Sequence, residues 1–167
     1  MKKALIVLLI FLVLPLCGCS LLYGVLNGYR VSYDDQLEKQ PARIFEGKGS
    51  VKDFDVEILE AKKAETFDGK DAVVITYRWT NNSDDTAIFM DALDTCVFQD
   101  GIQLDSSIAN DDSESYLEDN MRKVRPGKTL DVSLAYELRS DSPEIEVEVS
   151  DFLFEPSIIV KKLFTLE

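Results

Sequence analysis

The sequence predicts an all-β sandwich of about seven or eight antiparallel strands, and three observations support this fold class. Apolar and polar residues alternate in several stretches, turn motifs separate those stretches, and the 3.6-residue period of a helix is nearly absent. The chain has 167 residues, of which 46% are hydrophobic and 29% charged, an ordinary composition for one globular domain. A domain of this size can bury a sufficient apolar core without disulfide bonds.

The alternating stretches predict strands that each bury one face. They run over residues 54–58, 73–80, 130–138 and 145–149, and a final strand is predicted over residues 158–166. Asp100-Gly101 predicts a two-residue hairpin turn, and Pro126-Gly127 predicts a tight turn that leads into the next strand. A single helix candidate, a turn or two long, covers residues 113–121.

The alternation also predicts which side chains are buried. Trp79 is the only tryptophan, and it shares one strand face with Val73, Ile75 and Tyr77. Because residues two apart point to the same side of a strand, we expect Trp79 to face the core near the end of the sandwich. Cys96 lies in another strand-like stretch and is expected to be a buried, unreactive thiol.

The N-terminus has the pattern of a secretory signal. Two lysines follow Met1, and an apolar run over residues 4–16 ends at small residues. The order Leu16-Cys17-Gly18-Cys19 then resembles the lipobox of bacterial lipoproteins. This resemblance implies that a peptidase recognises Leu16 and Gly18, cuts before Cys19, and leaves a diacylglyceryl group on that thiol. It predicts a signal peptide over residues 1–18 and a lipid anchor on the extracellular face of the cell membrane.

An uncleaved membrane anchor is the alternative interpretation of the N-terminus. Residues 4–26 contain no charged side chain, and about 20 apolar residues suffice to span a bilayer. Both interpretations place the lysines in the cytoplasm and the rest of the chain outside. Residues 19–49 mix glycine, asparagine, aspartate and proline without a sustained period, so they are expected to form a linker to a folded domain over residues 50–167.

Composition excludes several classes of function. The chain carries 31 acidic and 18 basic residues, and loss of the two N-terminal lysines takes its net charge from −13 to −15. Such a charge repels phosphate backbones, so no nucleic-acid partner is expected. There is no histidine, which removes the commonest general base and the commonest nitrogen ligand for metals. We therefore expect no enzyme activity, no cofactor and no catalytic residue.

Acidic clusters are the remaining candidates for a binding site. They comprise Asp84-Asp85, Asp91 with Asp94, and the run from Asp111-Asp112 through Glu114 to Glu118-Asp119. Calcium prefers such oxygen ligands, but the last cluster lacks the glycine of the common calcium-binding loop. We interpret these clusters as a solvated acidic surface and predict no metal site. A calcium or small-ligand binding lipoprotein is kept as the alternative function, and a hydrolase that uses paired carboxylates is the third.

The predicted domain also resembles a known family. Residues 74–83, 97–104 and 124–138 are similar to a family of secreted lipoproteins of Gram-positive bacteria. The resemblance covers roughly residues 50–167 and implies an immunoglobulin-like domain of unknown function, similar in fold to a mycobacterial secreted immunoprotective antigen. Its motifs are structural, such as the strand that ends in Asn81-Asn82-Ser83. We therefore expect a surface-tethered binding or adaptor module for a protein, a peptide or a wall polymer.

Overall fold

The computed structural model describes residues 41–110, 118–152 and 156–167. Cys19, Leu16 and Gly18 lie outside these residues, as does most of the helix candidate over residues 113–121. Within them the chain forms the short helix α1 (Phe89–Ala92), a helical end at residues 118–119, and ten strands. The strands are β1 (Arg43–Glu46), β2 (Lys48–Val51), β3 (Phe54–Glu65), β4 (Asp71–Asn81), β5 (Asp94–Gln99), β6 (Ile102–Gln103), β7 (Ser106–Ser107), β8 (Lys128–Glu137), β9 (Glu144–Ser150) and β10 (Ile158–Thr165).

The strands form two five-stranded sheets, which confirms the all-β sandwich. One sheet has the order β1-β10-β9-β5-β6 and the other has the order β2-β3-β4-β8-β7. All the strand pairs are antiparallel except β1 with β10, which is parallel. The described residues form ten strands instead of about seven or eight, because β1 and β2 lack an alternating pattern and β7 is only two residues long.

The folded domain begins earlier than the boundary predicted at residue 50. The strands β1 and β2 lie within the segment expected to be a linker, and every side chain of β1 is exposed. Gly47 turns the chain from one sheet to the other with a φ of +67°. Its N–H donates to the carbonyl of Lys161 at 2.7 Å, and its carbonyl accepts from the N–H of Ile58 at 2.8 Å. Backbone pairing, which leaves no mark in side-chain periodicity, therefore sets this boundary.

The core lies between the sheets and has the predicted alternation. Trp79 is completely buried, as predicted, and its ring lies 5.7 Å from the rings of Phe54 and Phe89. Two buried phenols lie behind it, with 3.5 Å between the hydroxyls of Tyr77 and Tyr136. The hydroxyl of Tyr136 also lies 3.0 Å from that of Thr95 in the opposite sheet. Burial raises the pKa of Tyr77 well above its usual range, so this phenol stays neutral in the core.

A lysine on the inward face of β10 links the two sheets. The Nζ atom of Lys162 donates to the carbonyls of Ile58 at 2.8 Å and Leu59 at 3.0 Å. The register of β3 against β4 shifts at this point, since Ile58 and Glu60 pair with consecutive partners. The same amine lies 4.7 Å from the ring centroid of Phe164. Lys162 thereby donates hydrogen bonds to two carbonyls at the irregularity in β3.

The sandwich has two ends, which we call proximal and distal. At the proximal end the chain enters, since Arg43 pairs with Ile158, the first residue of β10. The segments 52–53, 82–93 and 118–127 lie at this end, and an ion pair of 3.5 Å between Lys52 and Asp151 joins the sheets there. Leu166 follows the last residue of β10 and marks the distal end, together with segments 66–70 and 138–143.

Candidate functional site

A cleft of about 250 Å³ opens at the distal end of the sandwich. Its apolar lining includes Ala72, Leu138 and Leu166, and its polar lining includes Lys63 and Asp141. The loop over residues 138–143, between β8 and β9, supplies half of the lining residues. The position of this loop therefore determines the shape of the cleft.

Gln99 holds this loop through all of its amide atoms. It is the last residue of β5, and 1% of its surface is exposed. Its Nε2 donates to the carbonyls of Ser140 at 3.0 Å and Ser142 at 2.7 Å. Its Oε1 accepts from the N–H groups of Arg139 at 2.8 Å and Ser140 at 3.1 Å. Four hydrogen bonds from one buried side chain make the loop part of the rigid sandwich.

Backbone hydrogen bonds fix the other sides of the cleft. The N–H of Leu166 donates to the carbonyl of Pro143 at 2.8 Å, and the N–H of Leu138 donates to that of Asp71 at 2.9 Å. The hydroxyl of Ser140 also donates to Asp100 at 2.7 Å, and this bond is the main cause of a lowered pKa at Asp100. These bonds thus fix the backbone on each side of the cleft.

Charged side chains surround the distal end. The amine of Lys70 donates to both carboxylate oxygens of Glu137 at 2.9 Å, and it lies 3.6 Å from Asp68. The bond to Glu137 is the largest cause of a raised pKa at Lys70. Because these groups are exposed, the ion pairs contribute little to stability, and their main effect is on the electrostatic potential of this surface.

Cys96 differs from the expected buried thiol. It is half-buried on the outer face of its sheet, because its neighbour Val97 faces the core. The amide of Gln103 lies 3.6 Å from its sulfur. Burial is the main cause of a raised pKa at Cys96, with contributions from Asp94 and Glu148. A raised pKa lowers the thiolate fraction and so opposes nucleophilic chemistry at this residue.

The acidic residues that the structure describes are dispersed. Asp84 and Asp85 are exposed in the turn after β4, while Glu118 and Asp119 form ion pairs with Arg122. Within the described ranges, no group of three or more histidine, cysteine, aspartate or glutamate residues is arranged to hold a metal ion. The cluster over residues 111–114 lies outside those ranges.

Two buried amide side chains that hold turns, Gln99 and Asn81, were not predicted from the sequence, although the residues around each of them form a recognisable pattern. Gln99 follows Val97 on the same strand face and immediately precedes a predicted turn. Asn81 likewise follows Trp79 on the apolar face, is fully buried, and donates to the carbonyls of Asp85 at 2.8 Å and Val124 at 2.9 Å. A polar amide at an apolar-face position just before a turn is typical of a side chain that organises the turn.

Comparison with known proteins shows similarity in fold. A candidate lipoprotein from Staphylococcus aureus matches with a TM-score of 0.58 and 19% identity, over 74% of this chain and 90% of that protein. A protein from Enterococcus faecalis matches with a TM-score of 0.53 and 17% identity, over 72% and 90%. No curated protein matches the sequence.

Among the residues that the structure describes, no helix has the length and apolar character needed to cross a membrane.

The family assignment follows from the sequence profile that the chain matches. The matching profile covers residues 31–151, which include β1 to β9 and most of the sandwich. The chain therefore belongs to the family described as domain of unknown function DUF5067.

Proposed function

We propose that this protein is a lipid-anchored binding module of the cell surface and that the distal cleft contacts its ligand. The observation that carries the proposal is the position of the cleft relative to the chain entrance. Arg43 pairs with the first residue of β10, and Leu166, which lines the cleft, follows its last residue. A domain anchored through its N-terminal segment can therefore direct the cleft away from the membrane.

The anchor is supported by the N-terminal sequence and by one structural relative. Leu16 and Gly18 precede Cys19 at the lipobox positions, and a similar fold occurs in a candidate lipoprotein from Staphylococcus aureus. In this proposal Cys19 carries the lipid and the membrane is a partner through that group. The uncleaved helix over residues 4–26 would place the sandwich on the same side.

An immunoglobulin-like topology is part of the proposal, and strand order supports it. Immunoglobulin domains combine a sheet with the order A-B-E-D and a sheet that contains C, F and G. If β4, β8 and β7 correspond to B, E and D, then β10, β9 and β5 correspond to G, F and C. The strand β3, next to β4, then takes the position of A, and β1 and β2 are additional strands at the edges of the two sheets.

The size and lining of the cleft support a proposal about the class of ligand. Pockets for drug-sized molecules usually enclose about 300–1,000 Å³, so about 250 Å³ suits one side chain or one sugar unit of a longer chain. Apolar walls beside Lys63 and Asp141 can pack against such a unit and form hydrogen bonds with it. We therefore favour a peptide, protein segment or wall polymer, and a binding role without catalysis.

The anchor is tested by the variant Cys19→Ala. We expect this variant to lose lipid labelling and to keep its signal peptide, because in lipoprotein maturation the thiol is modified before the signal peptide is cleaved. Intact mass measurement of the membrane-extracted protein reports both changes. The variant Cys96→Ala is the matched control and should be labelled and cleaved normally. Persistent labelling of Cys19→Ala, or a mature N-terminus at another residue, would refute the lipid anchor.

The cleft is tested by a photo-crosslinking amino acid at position 141, with the same amino acid at position 86 as the control. Both positions are exposed, but Asp141 lines the cleft and Thr86 lies at the proximal end. We expect one defined adduct from position 141 in intact cells and no matching adduct from position 86. Equal adducts at both positions, or none at position 141, would contradict binding at the cleft.

A further inference from the structure

A strongly basic loop lies at the proximal end of this acidic protein. Residues 121–128, which we call the basic loop, hold four of the 18 basic residues of the chain and no acidic residue. Arg122, Lys123, Arg125 and Lys128 are all exposed. In a chain with a net charge of −13, a segment with this composition differs sharply from the rest of the surface.

The sandwich holds the backbone of the basic loop in place. Val124 is buried and exchanges two backbone hydrogen bonds with Ala87, at 2.8 and 3.0 Å. Its carbonyl also accepts from the buried amide of Asn81, and the N–H of Gly127 donates to the carbonyl of Asn81 at 2.6 Å. Because Val124 faces inward, the exposed residues on either side of it extend from a fixed backbone.

Three of the four cations have no acidic partner in the part of the chain that the structure describes. Arg122 pairs with Asp119 at 2.7 Å and with Glu118 at 3.3 Å. No carboxylate of the described residues lies within ion-pair distance of Lys123, Arg125 or Lys128. As far as the described residues show, these three side chains can therefore meet an external anion without first breaking an ion pair.

Exposed apolar side chains lie at the same end of the sandwich. Met121, within the basic loop, is 68% exposed, and Met90 of α1 is 49% exposed. The two segments touch, since the N–H of Met90 lies 3.5 Å from the carbonyl of Asn120. Phe152, which follows β9 at this end, is 56% exposed. Basic residues beside exposed apolar residues are typical of surfaces that bind to the headgroup region of anionic membranes.

The path of the chain favours a lipid surface as the partner. The described chain enters the sandwich at the proximal end, and residues 20–40 separate it from Cys19. At about 3.5 Å per residue, this segment keeps the proximal end within about 75 Å of an anchored Cys19. Such a tether raises the effective concentration of the basic loop at the membrane.

We propose that the basic loop, with Met121 and Met90, docks the proximal end of the sandwich onto the anionic phosphates of a lipid bilayer. The proposal rests on the lipid anchor described above, and it orients the distal cleft outward. Asp53, Asp84, Asp85 and Asp91 are exposed in the other segments of the proximal end and oppose the attraction. The unlipidated domain is therefore expected to bind weakly and in a salt-dependent manner.

The test uses the unlipidated chain over residues 20–167, which keeps every described core residue and is independent of lipid modification at Cys19. Co-sedimentation with vesicles of phosphatidylglycerol and phosphatidylcholine is compared with vesicles of phosphatidylcholine. We expect binding only to the anionic vesicles, with loss at high salt. The variant Lys123→Gln/Arg125→Gln/Lys128→Gln should reduce the bound fraction about tenfold or more.

The control variant Lys48→Gln/Lys62→Gln/Arg139→Gln removes the same charge from exposed positions outside the basic loop and should bind normally. Circular dichroism melting curves verify that both variants are folded. Equal binding of the two variants, or no binding to anionic vesicles, would overturn the proposal. Retention by a glycerol phosphate polymer in place of vesicles would also overturn it and would identify a wall polymer as the partner. The mass of Cys19 in the cellular protein reports separately on the anchor.

Discussion

Replacement of Trp79 with alanine is expected to destabilise the sandwich by about 3–5 kcal/mol. The side chain is completely buried and packs between Phe54 and Phe89, so its removal leaves a large cavity in the core. Small domains have total stabilities of about 5–15 kcal/mol, so this loss takes a large fraction of the total. Chemical denaturation monitored by circular dichroism measures the difference in the free energy of unfolding.

Phe67→Ala is the matched control for Trp79→Ala, because Phe67 is 70% exposed and its loss should change the stability little. Trp79→Phe should cost less than Trp79→Ala, since it keeps an aromatic ring and removes an indole N–H. That N–H has no hydrogen-bond partner among the described residues. Trp79 is the only tryptophan, so native fluorescence reports on it directly. Emission near that of free tryptophan in water, with strong acrylamide quenching, would contradict its burial.

The second large effect is expected for Gln99→Ala, which should lower the free energy of unfolding by about 2–4 kcal/mol. The substitution removes four hydrogen bonds and leaves the polar backbone atoms of residues 139–142 without their side-chain partner. Because the same loop lines the distal cleft, the variant should also lose the adduct from a crosslinker at position 141.

Gln103→Ala is the control for this experiment. Gln103 lies on the neighbouring strand β6 and is exposed, and its amide has one weak contact with the sulfur of Cys96 at 3.6 Å. Its replacement should leave the stability and the adduct unchanged. Amide hydrogen exchange at Arg139 and Ser140 adds a local measurement, with faster exchange expected in Gln99→Ala. Unchanged exchange at both positions would show that Gln99 does not hold the loop.

The alternation of apolar and polar residues correctly predicted the central strands and the burial of Trp79. In β4 and β9, every second residue faces the core, because both strands are paired on both sides and packed on one face. Under those conditions, the alternation of side chains in the sequence directly predicts which face of the strand is buried. The Asp100-Gly101 turn was also predictable, and both residues have the positive φ that such a turn requires.

The edges of the sheets were not predictable in the same way. The strand β1 has four exposed side chains and is held by parallel pairing with β10, more than a hundred residues away in the sequence. Its pairing therefore depends on a partner that no local pattern can reveal. The outward orientation of Cys96 was missed because the adjacent apolar residues Val97 and Phe98 lie on opposite faces of β5, which allows either face to be the buried one.

The sequence by itself determined the class of the domain, its acidic surface, and the absence of histidine chemistry, since these depend on composition and on local period. Tertiary structure decided which loops meet. It brought Gln99 of one strand to the loop over residues 139–142, and it placed the basic loop beside α1 at the end where the chain enters. Both arrangements join segments that are distant in the sequence. They arise because two sheets that bury a common core must also bring together the loops at each end.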